Sequence, residues 1–550
     1  MKIRKVGYFI LFSWFVAGSL CLGLYPCKNK DTQTALDIAM EKAGDNRQEL
    51  EKVLRHYQQS PADSLKYKAA CFLIENMPYY SYPVGKQLDN YKTYFNWLRH
   101  YRKKTPRQLS DSIRQFFGPI GELEKKQDIH EIDSAYLCHN IEWAFKVWQE
   151  QPWGKHISFA TFCEYILPYR IEDEPLKYWR EEYYNKFDSL LIPLKNSNSP
   201  DKENPVAVAN YLIQKLPHKY HRYTGIFPYS FGHVGPEHVQ YLTGSCREVT
   251  DFAVYLFRAL GIPCAIDFIP VRGNVNASHL WVVCWDKDGK EYMTDFPREL
   301  WPTEKNWWYE HDDSPKVYRT TFSLNRTLAE ETSYDGEEIY PFWSLPKFTD
   351  ITHVYGRHYL EQVRIPVSRL YNTPTKGKIA YLCLSYRKRW IPVDRTVYKR
   401  GQLIFNKLRK GSVMRIATYE NKELEVIGTP GCFQQDGSHE YTNVFDGKSW
   451  TSFDYKESEG GWAGLDLGIP TQIDKIVYTP RNRDNYIRPG DTYELFYCDK
   501  DWISAGEMQA TSDSLHYQQL PQNALLLLCN YTRGTQERIF VYENGSQIWK

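Results

Sequence analysis

The spacing of apolar residues changes once along this chain, near residue 326. Before that point apolar residues recur every three to four positions, which is typical of amphipathic helices. Beyond it they alternate with polar residues in short runs separated by Gly, Pro, Asn and Asp, which is typical of strands and turns. A chain of 550 residues is also long enough for several domains. The sequence therefore predicts a multidomain α+β fold, with helices first and sheets last.

Polar, turn-rich stretches at 196–203 and 428–437 mark two domain boundaries. Together with the change of period they divide the chain into five predicted segments. These are a signal or anchor segment at 1–27, a helical N-terminal domain at 28–199, an α+β core at 200–325, a β-sandwich at 326–430 and a second β-sandwich at 431–550.

Local signals predict individual elements. Capping residues predict three helix starts, at Asn46 with Glu49 three residues later, at Ser60 before Pro61 and at Asn204 before Pro205. Alternating runs predict strands at 363–367, 379–384, 413–418, 476–478, 493–498, 524–528 and 538–542.

Composition excludes several classes of protein. The 69 Lys and Arg and 67 Asp and Glu leave a net charge of +2, and no basic block concentrates that charge, so nucleic acid is not expected as a partner. A hydrophobic content of 42% with a mean hydropathy of -0.59 excludes both a polytopic membrane protein and a disordered chain. Aromatic residues make up 16%, which suits sandwich cores and also stacking surfaces for sugars or peptides. Core packing is the preferred interpretation.

The N-terminus has the pattern of an export signal. Basic residues at 2–5 precede a mainly apolar run at 6–24, and the sequence turns polar after Cys27. Three fates of this segment stay open: cleavage as a secretory signal, retention as a single membrane anchor, or lipid attachment at Cys27 or Cys21. All three predict an exported protein of the periplasm, outer membrane or cell surface, and two of them predict a membrane tether.

The 12 cysteines include no CxxC pair, and most lie inside apolar runs. Most are therefore interpreted as buried free thiols. Cys264 and Cys284, on strands expected to be neighbours, leave one disulfide open. No HExxH motif or paired Cys/His spacing is present, and the histidines crowded at 218–238 are interpreted as loop residues. We expect neither a metal nor a cofactor.

Cys246 begins the most informative segment of the chain. From Val249 to Leu260 apolar residues follow the i, i+3, i+4, i+7 spacing of a buried helix face, and the helix ends at Gly261. Cys246 is therefore predicted at a helix N-terminus, where free N–H groups favour a thiolate. The alternative is a small structural residue that fills a tight helix start.

A β-hairpin follows this helix and carries a histidine and an aspartate. If the turn is a three-residue loop with Gly289 in the left-handed conformation, Asp286 pairs with Lys290 and His279 pairs with position 297. Asp295 then lies on the same face as His279 and diagonal to it, within reach of its side chain. The register of this hairpin tests the proposal.

Cysteine, histidine and aspartate in this order suit a thiol triad. His279 would deprotonate Cys246 and later protonate the leaving amine, while Asp295 would orient the imidazole. The backbone N–H of Cys246 is the first oxyanion donor, with Gln240 and Tyr241 as side-chain candidates. Taken singly, each triad residue also has a structural interpretation, because a strand histidine is often a satisfied structural residue and an aspartate often caps a turn.

At these residues the sequence resembles the transglutaminase-like superfamily. The family pattern is G-x-C, a helix ending in R-A-L-G-I-P, H-x-W on a strand and an Asp on the next strand, and it stands here at 244–246, 258–263, 279–281 and 295. The resemblance implies a papain-like, transglutaminase-like α+β core over about 200–325. It also implies that Cys246 is the nucleophile, His279 the base and Asp295 the orienting residue. Animal transglutaminases use calcium, but no EF-hand loop is visible here, so that requirement is not carried over.

Two further resemblances lie outside the triad. The core and its flanking runs LPYR at 167–170 and KVYR at 316–319 look like those of exported Bacteroidetes-type proteins. Stretches at 444–447, 462–468, 473–480, 493–497 and 538–540 resemble a discoidin-like (coagulation factor V/VIII C-type) sandwich. Since such modules often bind carbohydrate or surfaces, this resemblance implies a glycan partner at the C-terminal sandwich.

These observations favour an exported thiol enzyme that acts on an amide bond of a peptide, protein or glycopeptide through a thioester, by hydrolysis rather than transamidation. The substrate-binding candidates are aromatic, namely Trp281, Tyr229, Phe231 and Trp307. The alternative is a non-catalytic cell-surface lipoprotein that binds glycan or peptide and uses the transglutaminase-like core as a scaffold.

Overall fold

The predicted multidomain α+β class is confirmed: helices dominate the first part of the chain, a mixed core follows, and the C-terminal part is sheet-rich. The computed structural model describes residues 33–85, 115, 123–217, 220, 233–240, 245–272, 278–305, 315–332, 338–355, 360–370, 379–386, 389–409, 414–428, 476–477, 487–499, 501–521, 524–532, 535–543 and 546–549. The predicted signal or anchor segment at 1–27, with Cys21 and Cys27, lies outside these residues.

The α-helices are α1 (Ala35–Lys42), α2 (Arg47–Gln58), α3 (Ser64–Asn76), α4 (Asp128–Glu131), α5 (Ser134–Glu150), α6 (Phe159–Tyr165), α7 (Trp179–Phe187), α8 (Ile192–Lys195), α9 (Pro205–Lys215), α10 (Pro236–Val239), α11 (Cys246–Ala259), α12 (Arg326–Thr332), α13 (Pro341–Ser344) and α14 (Thr352–Tyr355). Short 3-10 turns lie at Gly44–Asn46, Pro61–Asp63, Met77–Tyr79, Gly154–His156, Asp188–Leu191, Pro200–Glu203, Thr303–Lys305 and Val367–Arg369.

The strands are β1 (Ser81–Val84), β2 (Glu124–Gln127), β3 (Cys264–Ile269), β4 (His279–Trp285), β5 (Glu291–Thr294), β6 (Trp301–Pro302), β7 (Tyr318–Thr320), β8 (Phe348–Asp350), β9 (Leu360–Pro366), β10 (Ile379–Tyr386), β11 (Arg389–Val397), β12 (Gln402–Arg409), β13 (Met414–Glu420), β14 (Glu423–Gly428), β15 (Ile476–Val477), β16 (Thr492–Asp499), β17 (Asp501–Gln509), β18 (His516–Tyr517), β19 (Leu525–Asn530), β20 (Thr535–Glu543) and β21 (Ser546–Trp549). Each of the strands predicted from alternation is found.

The core contains an antiparallel sheet in the order β6-β5-β4-β3-β7-β8. Helix α11 packs on one face, where Ile266, Val282 and Cys284 belong to the same apolar core as its residues. Because side chains alternate along a strand, His279 and Trp281 lie on the opposite face of β4. Trp281 belongs there to a separate, smaller apolar cluster.

The apolar core around α11 is continuous with the N-terminal helices. One cluster of buried residues extends from Ala39 to Phe322 and crosses the boundary expected near residue 199. Polar contacts join the same elements: the indole N–H of Trp153 donates to the Gly261 carbonyl at 3.0 Å. The helices before residue 199 are therefore packed as part of the core that holds Cys246.

The C-terminal part forms two further sheet assemblies. Strands in the order β11-β10-β13-β14 face the pair β12-β9 across a shared apolar core, as expected for a small β-sandwich. A five-stranded sheet in the order β17-β16-β19-β20-β21 covers another core, to which Tyr517 of β18 also contributes, and β18 pairs with β15. Most of the stretches that resemble a discoidin-like module lie at 444–475 and 478–480, outside the described residues.

Two of the predicted helix starts are confirmed and one cap is wrong. Asn204 caps α9 through its Oδ1, which accepts from the Val206 N–H at 3.0 Å, and Ser60 caps the Pro61–Asp63 turn that precedes α3. Asn46 does precede α2, but its side chain donates to the carbonyls of Ile129 and Ile132 instead of capping. Its expected partner Glu49 accepts from Ser134. A tertiary contact has replaced the local one.

The cysteines described are free thiols. Cys264 and Cys284 are directly opposite each other in the β3–β4 ladder, as expected of neighbouring strands, but they do not form a disulfide. Among the residues that the structure describes, no helix is both long and apolar enough to cross a membrane.

Candidate active site

A capping box places Cys246 at the first position of α11. The Ser245 N–H and hydroxyl both donate to Glu248 Oε2, at 2.7 and 2.6 Å, and the Arg247 N–H donates to Ser245 Oγ at 3.3 Å. Ser245 and Glu248 are buried, so this cap is rigid and shielded from water. Cys246 itself is half-buried. The S-x-x-E spacing at 245–248 is the sequence signal for this box, and the sequence analysis missed it.

The hairpin register agrees with the one predicted. Trp285 pairs with Glu291 and Val282 with Thr294, and the Asp286 N–H donates to the Lys290 carbonyl at 2.9 Å. Gly289 has φ +80°, as required for the third loop position. This register is confirmed, and it sets His279 and Asp295 on one face of the sheet.

His279 and Asp295 form a direct hydrogen bond. His279 Nε2 lies 2.9 Å from Asp295 Oδ1, and their side chains are 17% and 22% exposed. Since Asp295 engages Nε2, Nδ1 is the ring nitrogen that is left for the Cys246 thiol. The Cys246 side chain also interacts with the His279 imidazole, so the three residues that the sequence suggested as a triad are neighbours.

The surroundings of His279 favour its charged form. Burial lowers the pKa of this imidazole, but the hydrogen bonds to Asp295 and to Cys246, together with the charge of Asp295, outweigh burial and raise the pKa from 6.5 to about 9. Arg272 opposes this rise through its positive charge. A protonated His279 beside Cys246 stabilises a thiolate, which is the nucleophilic form of cysteine.

The sequence predicts Trp281 to be a substrate-binding residue, and this prediction is wrong. Trp281 is only 2% exposed, and its indole N–H donates to the Tyr355 hydroxyl at 2.9 Å. Its ring centroid lies 5.5 Å from that of His279. Because the residue belongs to the apolar cluster under the sheet, its ring packs against His279 and offers no open face to a substrate.

Gln240 is likewise engaged elsewhere. Its Nε2 donates to Glu182 Oε1 at 2.8 Å and to the Pro236 carbonyl at 3.3 Å, and its Oε1 accepts from Lys186. The amide is therefore bound to α7 and is not directed at the thiol as an oxyanion donor. The other candidates lie outside the described residues, namely Tyr241, Tyr229, Phe231 and Trp307.

A second His–Asp pair joins His233 to Asp251 on α11, and the interpretation of these histidines as loop residues missed it. His233 Nδ1 is 2.7 Å from Asp251 Oδ2, and both side chains are largely buried. Burial lowers the pKa of His233, but the Asp251 carboxylate dominates and raises it to about 9. No sequence pattern predicts this pair, because only the tertiary structure brings His233 and Asp251 together.

Within the described ranges, no group of three or more His, Cys, Asp or Glu side chains is arranged to hold a metal ion. The functional groups at the site are the thiol, the imidazole, the carboxylate and the N–H groups at the start of α11. This set can perform nucleophilic and acid–base chemistry at a carbonyl carbon.

Residues 189–295 match the family model described as the transglutaminase-like superfamily. A comparison with curated proteins gives no match. Among solved structures, red sea bream transglutaminase shares 9% identity over 64% of this chain and 70% of that chain, with a TM-score of 0.20. The family match contains both the start of α11 and the hairpin that carries His279 and Asp295. Residues 189–295 of this chain therefore form a transglutaminase-like domain.

Proposed function

We propose that the protein is an exported thiol enzyme that cleaves an amide bond in a peptide, isopeptide or glycopeptide. The observation that supports this function most directly is the 2.9 Å bond between His279 and Asp295, on a ring whose charged form the neighbouring Cys246 also favours. A nucleophile, a base and an orienting carboxylate in contact are the groups that thioester chemistry requires.

In the first half of the reaction the Cys246 sulfur attacks the carbonyl carbon of the amide. The C–N bond then breaks, and the imidazolium of His279 gives its proton to the departing nitrogen, which leaves as an amine or ammonia. In the second half water attacks the thioester carbon and gives a proton to His279. The C–S bond breaks, a carboxylic acid is released and the thiolate is restored.

The start of α11 stabilises the oxygen that becomes negative in both halves. The N–H of the first helical residue has no acceptor within its own helix, so the backbone N–H of Cys246 can donate to this oxygen. Asp295 keeps the imidazole in the tautomer that presents its other nitrogen to the sulfur.

Hydrolysis is proposed over transamidation because water far exceeds acceptor amines outside the cytoplasm. Export rests on the basic and apolar pattern at 2–24. A glycan partner at the C-terminal sheets and a tether through the N-terminus are parts of the same proposal.

Alkylation of Cys246 tests the triad. We expect iodoacetamide at neutral pH to label Cys246 faster in the folded protein than in the denatured one, and His279→Ala to remove this advantage. Cys71 and Cys138 are also half-buried thiols and serve as internal controls in the same peptide map. If Cys246 is labelled equally fast in the folded and the denatured protein, and His279→Ala does not change the rate, the proposed enzymatic function is wrong.

Capture of the acyl-enzyme identifies the substrate. Peptide and glycopeptide libraries are incubated with the protein, the reaction is quenched in acid, and mass spectrometry locates thioester adducts. We expect adducts on Cys246 that are absent in Cys246→Ala. A ligand that binds both proteins equally and never acylates the wild type would favour the alternative, a non-catalytic binding protein.

A further inference from the structure

Five polar and aromatic side chains form a buried group on the face of the sheet that carries His279. We name it the Arg319 cluster, and it consists of Arg319, Asp267, Glu291, Tyr355 and Trp281. Asp267 is fully buried, Trp281 is 2% exposed and Arg319 is 5% exposed. Arg319 belongs to the KVYR run that the triad leaves unexplained.

Arg319 joins the two strands that flank β4. Its guanidinium makes a paired contact with Asp267 on β3, at 2.7 and 2.9 Å, and a second one with Glu291 on β5, at 2.5 and 2.9 Å. The planar fork of arginine suits such two-point contacts with carboxylates. One side chain thereby fixes the strands on either side of the one that carries His279.

Both arms of the cluster lead to the catalytic pair. In the first arm, the Tyr355 hydroxyl donates to Asp267 Oδ2 at 2.6 Å and accepts from the Trp281 indole at 2.9 Å, and Trp281 packs against the ring of His279. In the second arm, Glu291 begins β5, the strand that continues into Asp295.

We propose that Tyr355 and Arg319 are positioning residues that hold His279 and Asp295 in hydrogen-bonding geometry. A buried ion pair gives little net stability, because desolvation offsets the attraction between the charges. Its geometry is directional, however, and it fixes groups far better than apolar packing does. The inference rests on the proposed thiol chemistry and assigns the cluster a role in it.

The test compares Tyr355→Phe with Tyr318→Phe. Both changes remove one buried tyrosine hydroxyl, but Tyr318 donates to the Val393 carbonyl at 2.8 Å, outside the Arg319 cluster. The first readout is the NMR titration of the His279 ring, which is faced by Asp295, Cys246 and Arg272 and needs no substrate. We expect Tyr355→Phe to lower the pKa of His279 and Tyr318→Phe to leave it unchanged.

The second readout is the pH profile of Cys246 alkylation. We expect Tyr355→Phe to slow the reaction by roughly 10-fold to 100-fold, as small misplacements of catalytic groups do, at a melting temperature close to that of Tyr318→Phe. Arg319→Lys keeps the charge but not the fork, and it should act in the same direction.

The outcomes separate this inference from the proposed function. If Tyr355→Phe and Tyr318→Phe titrate and react alike while His279→Ala abolishes the fast alkylation, the positioning role is wrong and the triad stands. If His279→Ala has no effect on alkylation, the proposed function fails. A lowered pKa in Tyr355→Phe would still support positioning of the histidine in that case.

Discussion

At the scale of single residues, His279 shows how a buried group keeps its charge. Burial disfavours an imidazolium, yet the hydrogen bonds to Asp295 and Cys246 and the negative charge of Asp295 together more than compensate. The folded-state pKa is above the unfolded value, so the contribution of His279 to stability is complete below pH 6.5 and is lost as the pH rises through about 9. The His279–Asp295 pair is therefore best tested between pH 6.5 and about 9.

We expect Asp295→Asn to lower the pKa of His279, because the amide keeps a hydrogen-bonding group but removes the negative charge. The melting temperature of the wild type should then fall more steeply between pH 6.5 and 9 than that of the variant. Calorimetry at several pH values measures both slopes. His233 titrates in the same range, so the informative quantity is the difference between the two proteins. Parallel slopes would contradict the prediction.

At the scale of elements, α11 is held at both ends. The capping box closes its N-terminus, and Gly261 closes its C-terminus with φ +74°. The Ile262 N–H donates to the Phe257 carbonyl at 2.9 Å, which completes the helix end. Since Cys246 is the first residue of this helix, the position of the thiol depends on both terminations.

Gly261→Ala tests the C-terminal end. A Cβ at this position would lie 2.8 Å from the Val147 carbonyl oxygen, in addition to the strain of a left-handed conformation. We expect the free energy of unfolding to fall by about 2 kcal/mol or more. Urea denaturation followed by tryptophan fluorescence measures the change.

Gly289→Ala is the matched control for this substitution. Gly289 has a similar φ of +80°, but nothing lies within 4 Å of an added Cβ. Gly289→Ala should lower the free energy of unfolding by about 1 kcal/mol, and this loss measures the conformational strain alone. Equal losses for the two variants would show that the close contact with Val147 has no effect.

Element prediction succeeded where the signal was local. The strands at β9, β10 and β13 were found from alternation, and the hairpin register followed from the position of Gly289. Strand β17 was missed because its exposed and half-buried residues carry no regular apolar alternation. The cap at Asn46 was wrong because its side chain bonds a segment more than 80 residues away.

At the scale of the whole molecule, the N-terminal helices and the thiol core share one apolar interior. The ring of Trp179 on α7 lies 5.0 Å from Tyr255 on α11, and the Tyr183 hydroxyl donates to the Pro236 carbonyl at 2.7 Å. Removal of these helices would expose a large part of the buried face of α11 to water.

We therefore expect the core around α11 not to fold in a chain of residues 200–550, although 200 is the core boundary expected from the sequence. Near-UV circular dichroism and protease resistance, compared with residues 33–550, measure this. Residues 33–428 are the control, because the C-terminal sheet has its own apolar core, which shares no residue with the core of α11 in the part of the chain that the structure describes. We expect this control to keep the fast alkylation of Cys246. If residues 200–550 unfolded cooperatively at the melting temperature of residues 33–550, the N-terminal helices and α11 would not depend on one shared core.

The sequence by itself determined the local features: the order of helices and strands, the helix start at Cys246 and the face shared by His279 and Asp295. These follow from side-chain periodicity and turn geometry, which act over a few residues. Only the tertiary structure decided that Trp281 is buried against His279, that Gln240 belongs to α7, and that Arg319 joins the strands on either side of β4. Such contacts depend on how distant elements pack, and no local pattern encodes which partner a buried polar group will meet.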